Sequence, residues 1–244
     1  MLDMIEIVGL TKKYGELIAV NELNLSIAEG KLFGFLGPNG AGKTTTIRIM
    51  TGLIKATSGS VKIAGYDIEK QPIQAKRCFG YVPDKAYIYE KLTAFEYLQF
   101  IINVYGIKNN DNLINNKLEE FGLLSWRDAL IESFSHGMKQ RLLFAAALIH
   151  EPKVLIIDEP LAGLDPLGIK LIRQILIDYV NKSNTVFMST HSLSEAEKMC
   201  NLLGIINKGK LIAFGDMKEI RQKALLPNSP LEEVFIQLTS ESIE

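Results

Sequence analysis

The chain has 244 residues, 47% hydrophobic and 23% charged, with a formal net charge of −1 at pH 7. That length supports one substantial core with a small subdomain attached, and the near-neutral balance gives no electrostatic case for nucleic acid, which usually wants a basic face. The longest apolar run, residues 142–149, is eight residues long, well short of the about 20 that cross a bilayer.

The start of the chain, "MLDMIEIVGLTKKYG", has no cationic segment leading into an apolar core, so no signal peptide is expected and the protein is expected to be soluble and cytoplasmic. "IEIVGL", "LNLSIAEG" and "SVKIAG" read as short strands bounded by Gly, Asn and Ser. Among them "KLFGFLG" is a nearly continuous apolar run, as in a central strand buried on both faces. It feeds "GPNGAGKTTTIRIMTGL", a glycine loop followed by a helical pattern.

A second strand, "CFGYVP", precedes a stretch that reads as helices: "TAFEYLQFIINVYG", "NLINNKLEEFGLL", "SWRDALIESF" and "FSHGMKQRLLFAAALIH". Thr93 with Glu96 predicts a capping box at the first of these. Strand and helix then alternate: "KVLIIDE", a helix over 166–180, "NTVFMSTH", a helix over 194–199, then "LLGIIN". Asn207-Lys208-Gly209 predicts a hairpin turn into "KLIAF", and "SPLEEVFIQL" a last helix. The fold class is α/β, with a helical insertion. Cys78 and Cys200 lack metal-ligand spacing and read as two buried, reduced thiols.

Residues 37–44 fit Gly-x-x-x-x-Gly-Lys-Thr. Glycines let backbone N–H groups curl around phosphate oxygens, a lysine such as Lys43 meets the β- and γ-phosphates, and a helix starting there points its positive end inward. The Thr44 hydroxyl is a hard oxygen suited to Mg²⁺. The apolar strand before and the helix after make a chance glycine turn improbable, and the motif assigns a nucleoside-triphosphate site. "VLIIDEP" ends a buried strand in Asp158 and Glu159, at the strand end that faces the ligand crevice of a parallel sheet. Asp158 suits a metal held through water, and Glu159 suits a group that orients or deprotonates the attacking water. His191 alone reads as a structural histidine; with Lys43 and Glu159 on neighbouring strands it reads as a polariser of the water and the γ-phosphate.

These motifs in this order, with "FSHGMKQR" before "VLIIDEP" and "LAGLDP" after it, resemble the ATP-binding cassette family over about residues 5–238, and within it the separate ATPase subunit of an ABC transporter. The resemblance implies a P-loop NTPase core with an N-terminal antiparallel β subdomain and an inserted α-helical subdomain. Its parts would fall at 1–84 and 150–215 (core), 85–149 (helical) and 216–244 (C-terminal helices). It also implies ATP and Mg²⁺ as ligands. Tyr14 matches the aromatic that stacks on adenine. Gly37, Pro38, Asn39, Gly40, Ala41, Gly42, Lys43, Thr44 and Thr45 match the phosphate loop. Asp158 and Glu159 match the metal-side aspartate and the catalytic glutamate, and His191 matches the switch histidine. Residues 162–165 match a loop that crosses a dimer interface.

"FSHGM" matches the signature segment, in which Ser135, Gly137 and the helix dipole form an anion site for ATP held by a second subunit placed head to tail. The partners implied are transmembrane permease subunits on separate chains and an identical or homologous ATPase chain, with the protein peripheral on the inner face of the cell membrane. Two departures stand out. Asp84 replaces a glutamine, and either meets Mg²⁺ through water or hangs back as a hinge residue. His136 and Met138 replace glycine and glutamine, so Met138 lacks a side-chain amide. "SHGMKQR" and "GLDP" with "STHSLSEAE" resemble the exporter-type branch. A translation-control ATPase would carry two tandem cassettes, a chromosome-maintenance ATPase a coiled coil between Thr44 and Ser135, and an inactive regulatory partner would be expected to lack Glu159 or His191.

Overall fold

A computed structural model describes residues 3–85, 87–108, 110–159, 161 and 164–240. Its first element is a hairpin of β1 (Asp3–Tyr14) and β2 (Leu17–Ala28), both longer than the sequence suggested. Several register shifts let the pairing run on through the polar "TKKY", where alternation fails and bulges absorb the mismatch. After β3 (Leu32–Leu36) and α1 (Lys43–Met50) come β4 (Ser58–Ile63) and β5 (Tyr66–Asp67), which complete a four-stranded antiparallel sheet ordered β2-β1-β4-β5. A helix with no clear sequence pattern, α2 (Pro72–Cys78), leads into β6 (Phe79–Val82).

Three helices follow: α3 (Ala94–Val104), α4 (Asp111–Glu120) and α5 (His136–Leu148). The expected box is present on α3, with Thr93 Oγ1 accepting from the Glu96 N–H and the Glu96 carboxylate accepting from the Thr93 N–H. The helix expected over "SWRDALIESF" is not formed; two single 3-10 turns, Leu124–Trp126 and Ile131–Ser133, stand there. The segment's backbone is engaged elsewhere, because Ile131 N–H donates to the Leu92 carbonyl, Glu132 N–H to that of Glu90, and the Arg127 carbonyl accepts from Phe95 N–H. Tertiary pairing satisfies the groups that a helix would have used.

The chain then runs through β7 (Val154–Asp158), α6 (Pro166–Asn181), β8 (Thr185–Thr190), α7 (Leu193–Met199), β9 (Leu202–Asn207), β10 (Lys210–Gly215), α8 (Met217–Lys223) and α9 (Leu231–Ser240). The central sheet is ordered β10-β9-β3-β8-β7-β6, parallel except for β10. The β9–β10 hairpin turns through Lys208 and Gly209, both at positive φ (46° and 77°), as a two-residue turn between twisted strands requires.

Strand residues alternate between the two faces. Phe33, Phe35, Val154, Ile156 and Phe187 pack toward the antiparallel sheet, with Phe187 centred 5.1 Å from Phe33 and 5.3 Å from Phe35. Leu155, Ile157, Val186 and Met188 pack toward the side of α3, α4 and α5. Both cysteines are free thiols and only partly buried, where two buried thiols were expected. Cys200 Sγ fills the space beside Gly34, while Cys78 closes a short helix at the surface. Among the described residues no helix is long and apolar enough to cross a membrane.

One half-buried histidine is expected to make stability depend on pH. His150 follows α5 and stacks on Tyr105 at 3.7 Å between ring centroids. Its Nε2 donates to the Phe79 carbonyl at 3.2 Å, and its Nδ1 has no partner among the described residues. Burial lowers its pKa from 6.5 to about 4. Between those values the unfolded chain binds more protons than the folded protein, so stability falls as the pH drops through that window. A loss on the order of 2 kcal/mol is expected between pH 7 and pH 4.5, after discounting for partial exposure. His150→Phe, which keeps the stack, should lose this component. Urea unfolding of both proteins at both pH values checks it, and equal pH dependence would contradict it.

Candidate functional site

The carboxyl ends of β3, β6, β7 and β8 open on one cleft of about 490 Å³, lined by Tyr14, Leu17, Ala19, Asn39, Gly40, Ala41, Gly42, Lys43, Thr44, Thr45, Asp84, Glu159 and His191. The topology brings them together: parallel strands end on the same edge of the sheet, and the turn of the β1–β2 hairpin reaches over it.

The loop between β3 and α1 requires its glycines at two places. A Cβ on Gly37 would overlap the Ile206 carbonyl, and one on Gly42, at φ 110°, would overlap that of Ala19. The loop thus threads between β9 and β2 with no room for a side chain. The N-terminus of α1 has no side-chain cap and no acid in its first turn, whereas α3, α6 and α8 are capped by Thr93, Asp165 and Asp216. Its first N–H groups and the positive end of the helix dipole are left for an anion.

Lys43 is 7% exposed. Its ammonium donates to the carbonyls of Gly37 (2.6 Å) and Pro38 (3.3 Å). Burial holds it below the ordinary lysine value, while Glu159 and Asp158 pull the other way. A buried cation with two carbonyl partners and, among the described residues, no contacting carboxylate is suited to an incoming phosphate.

Asp158, 2% exposed, is fixed by Ser189, whose Oγ donates to Asp158 Oδ1 at 2.5 Å; Thr44 Oγ1 lies 3.5 Å from the same oxygen. Ser189 was not singled out from the sequence. The signal for it is its register, opposite Asp158 on the adjacent parallel strand, which is visible only once the strand order is known. Glu159 sits at φ 53°, a left-handed conformation costing about 1 kcal/mol in a non-glycine residue. Its N–H is held by the Ser189 carbonyl and Oγ, both at 3.2 Å. This bend at the strand end presents the carboxylate to His191, whose main-chain N–H (3.2 Å) and Nδ1 (2.7 Å) both meet Glu159 Oε2. A carboxylate accepts, so Nδ1 carries the proton and the opposite ring nitrogen, Nε2, remains.

Tyr14 lies at the cleft's edge, 47% exposed, with Lys12 Nζ 4.9 Å from its ring centroid. Asp84 follows β6 and Pro83, exposed at the rim. Ser135, Gly137 and Met138 are not in this cleft. They head α5, where Ser135 Oγ accepts from the Met138 N–H at 3.3 Å and the Met138 side chain packs into the helical core. Met138 is half-buried at that helix end. Of the loop over 162–165, Ala162 and Gly163 lie outside the described residues; Asp165 caps α6 through the Gly168 N–H at 2.7 Å.

The residues fit Mg²⁺ in the manner of a phosphate-bound ion. Among the described residues no three His, Cys, Asp or Glu side chains converge as a metal cage, and Mg²⁺ characteristically takes one or two protein oxygens with the rest from phosphates and water. Thr44 Oγ1 and Asp158 supply such oxygens.

A family model described as ABC transporter matches residues 20–162. The bacitracin transport ATP-binding protein BcrA of Bacillus licheniformis is 43% identical over 229 residues, 92% of this chain and 74% of that protein. The probable multidrug ABC transporter ATP-binding protein YbhF of Escherichia coli is 37% identical over 240 residues, 96% of this chain but 41% of that protein. A solved structure of an ATP-binding subunit of an ABC transporter superposes with a TM-score of 0.89 at 31% identity, covering 96% of this chain and 99% of that one.

Proposed function

The chain belongs to the ABC transporter family as an ATP-hydrolysing, ATP-binding subunit, and on that premise we propose that it works as one half of a head-to-tail pair that closes on ATP and drives separate membrane subunits, in the exporter-type branch. The bacitracin and multidrug relatives support that branch. The absence of a membrane-spanning helix among the described residues fits a subunit peripheral to the membrane, on its cytoplasmic face.

The observation that carries the chemistry is the double contact of His191 with Glu159 beside the buried Lys43. In this reading Tyr14 stacks on the adenine, and Gly37, Pro38, Asn39, Gly40, Ala41, Gly42, Thr44 and Thr45 wrap the phosphates with Lys43 on the β and γ oxygens. Thr44 and Asp158 would hold Mg²⁺, which when bound offsets negative charge on the β- and γ-phosphates, and Asp84, on the rim of the same cleft, would either meet it through a water or stand back as a hinge residue. Glu159 accepts the proton of the water that attacks the γ-phosphorus, and the bond to the β-phosphate oxygen breaks to leave ADP and phosphate. His191 holds the carboxylate in place and keeps Nε2 for the water or the γ-phosphate.

Ser135, the Gly137 N–H and the N-terminus of α5 serve the ATP of the other subunit. That they do not line their own cleft and that Ser135 is exposed support this. Hydrolysis then cuts the bridge and lets the pair open. Ser135→Arg puts a bulky cation at that contact, and is expected to leave ATP affinity within about twofold while cutting turnover at least about a hundredfold. ATP-binding titration and phosphate release read the two separately; a variant with normal turnover would remove the shared site from the account.

A further inference from the structure

Each loop bearing a member of the Glu159–His191 pair runs directly into a helix. Glu159 is followed within six residues by the Asp165 cap of α6, and His191 is followed immediately by Ser192, the N-cap residue of α7. α7 is seven residues long with no side-chain cap, too short to define its own position. Its two inner acids hold it from opposite sides. Glu197 accepts from Arg221 of α8 at 2.8 Å and from the Leu231 N–H at the start of α9 at 3.3 Å. Glu195, two residues earlier and so on the other face of the helix, pairs with Arg173 of α6 and takes Lys198 at 3.3 Å.

The Arg173–Glu195 pair joins the helix after Glu159 to the helix after His191. Its side chains are 31% and 15% exposed, and Arg173 Nε is buried with no partner among the described residues, so the guanidinium is anchored chiefly at the Glu195 end. Exchanging it for another geometry shifts α7, and with α7 the residue that precedes its cap.

We propose that Arg173 and Glu195 are positioning residues for the proposed ATPase chemistry, setting the His191 ring against Glu159 by fixing α7 on α6. This rests on the reading of Glu159 and His191 given above. Neither residue touches the cleft, so their effect falls on kcat and not on ATP binding.

Arg173→Gln is expected to lower kcat about tenfold with KM for ATP within about twofold, and His191, one of three histidines, should lose its fixed Nδ1–H signature in 15N imidazole spectra. The charge-swapped pair Arg173→Glu with Glu195→Arg should recover part of the loss, and Lys62→Gln, which cuts the surface pair with Glu6 far from the site, should change nothing. Arg173→Lys keeps the charge and carries the same test at about threefold if the glutamine variant fails to fold. Unchanged kcat, or reduced kcat with an unaltered His191 spectrum, overturns the proposal. Glu159→Gln and His191→Ala are measured alongside. If they keep normal turnover, the underlying assignment is what fails; if they lose it while both Arg173 variants do not, only the α6–α7 link fails.

Discussion

Glu159→Gln is expected to cut ATP turnover by about a thousandfold while leaving ATP affinity within about threefold. The magnitude is that of losing a positioned general base, about 10²–10⁴. The substitution is close to isosteric, and its remaining oxygen still accepts from the His191 N–H and Nδ1 that meet Oε2. The φ of 53° and the bonds from Glu159 N–H to the Ser189 carbonyl and Oγ do not use the Glu159 carboxylate, so the bend at the end of β7 survives. What is lost is the capacity to take a proton. In the proposed cycle hydrolysis separates the pair, so the variant should also accumulate as an ATP-bound dimer in size-exclusion chromatography. Single-turnover phosphate release gives the rate; near-normal release would discredit Glu159 as the base.

Lys43→Ala should act on binding, lowering ATP affinity by about a hundredfold or more, the loss of charge-assisted bonds in a desolvated site. Its effect on the fold should be different in sign. Burial lowers the pKa of Lys43, so the folded state holds the proton less tightly than the unfolded chain, and folding disfavours its charged form relative to the neutral amine. Replacing it should leave the thermal midpoint unchanged or raised, even though the bonds to the Gly37 and Pro38 carbonyls disappear. Calorimetric titration with ATP and a melting curve read the two effects independently. A variant that loses binding only because it melts would contradict this account of Lys43.

What was legible in the sequence follows from how local the determining physics is. The phosphate loop, the acids ending "VLIID" and the Thr93–Glu96 box each depend on residues within a few positions of one another, and all stand where their patterns place them. The "SWRDALIESF" segment was misread because its backbone partners, Leu92 and Glu90, lie about forty residues away, beyond any periodicity argument. Ser189 was missed because its importance comes from register with Asp158 across two strands separated by α6. The β1–β2 hairpin outran its alternating core because its bulges conceal the period. The Arg173–Glu195 link is of the same non-local kind: Arg173 belongs to no motif, and only the ion pair between α6 and α7 joins the two residues.

The central claim is that each ATP is enclosed by the phosphate loop of one subunit and the Ser135 helix end of another. Turnover per chain, followed over a hundredfold or greater dilution at saturating ATP, tests it most directly. The account predicts a rate per chain that falls toward zero once the pair dissociates. A rate per chain that stays constant to the lowest concentration would mean that a single subunit builds the whole site, and would contradict it.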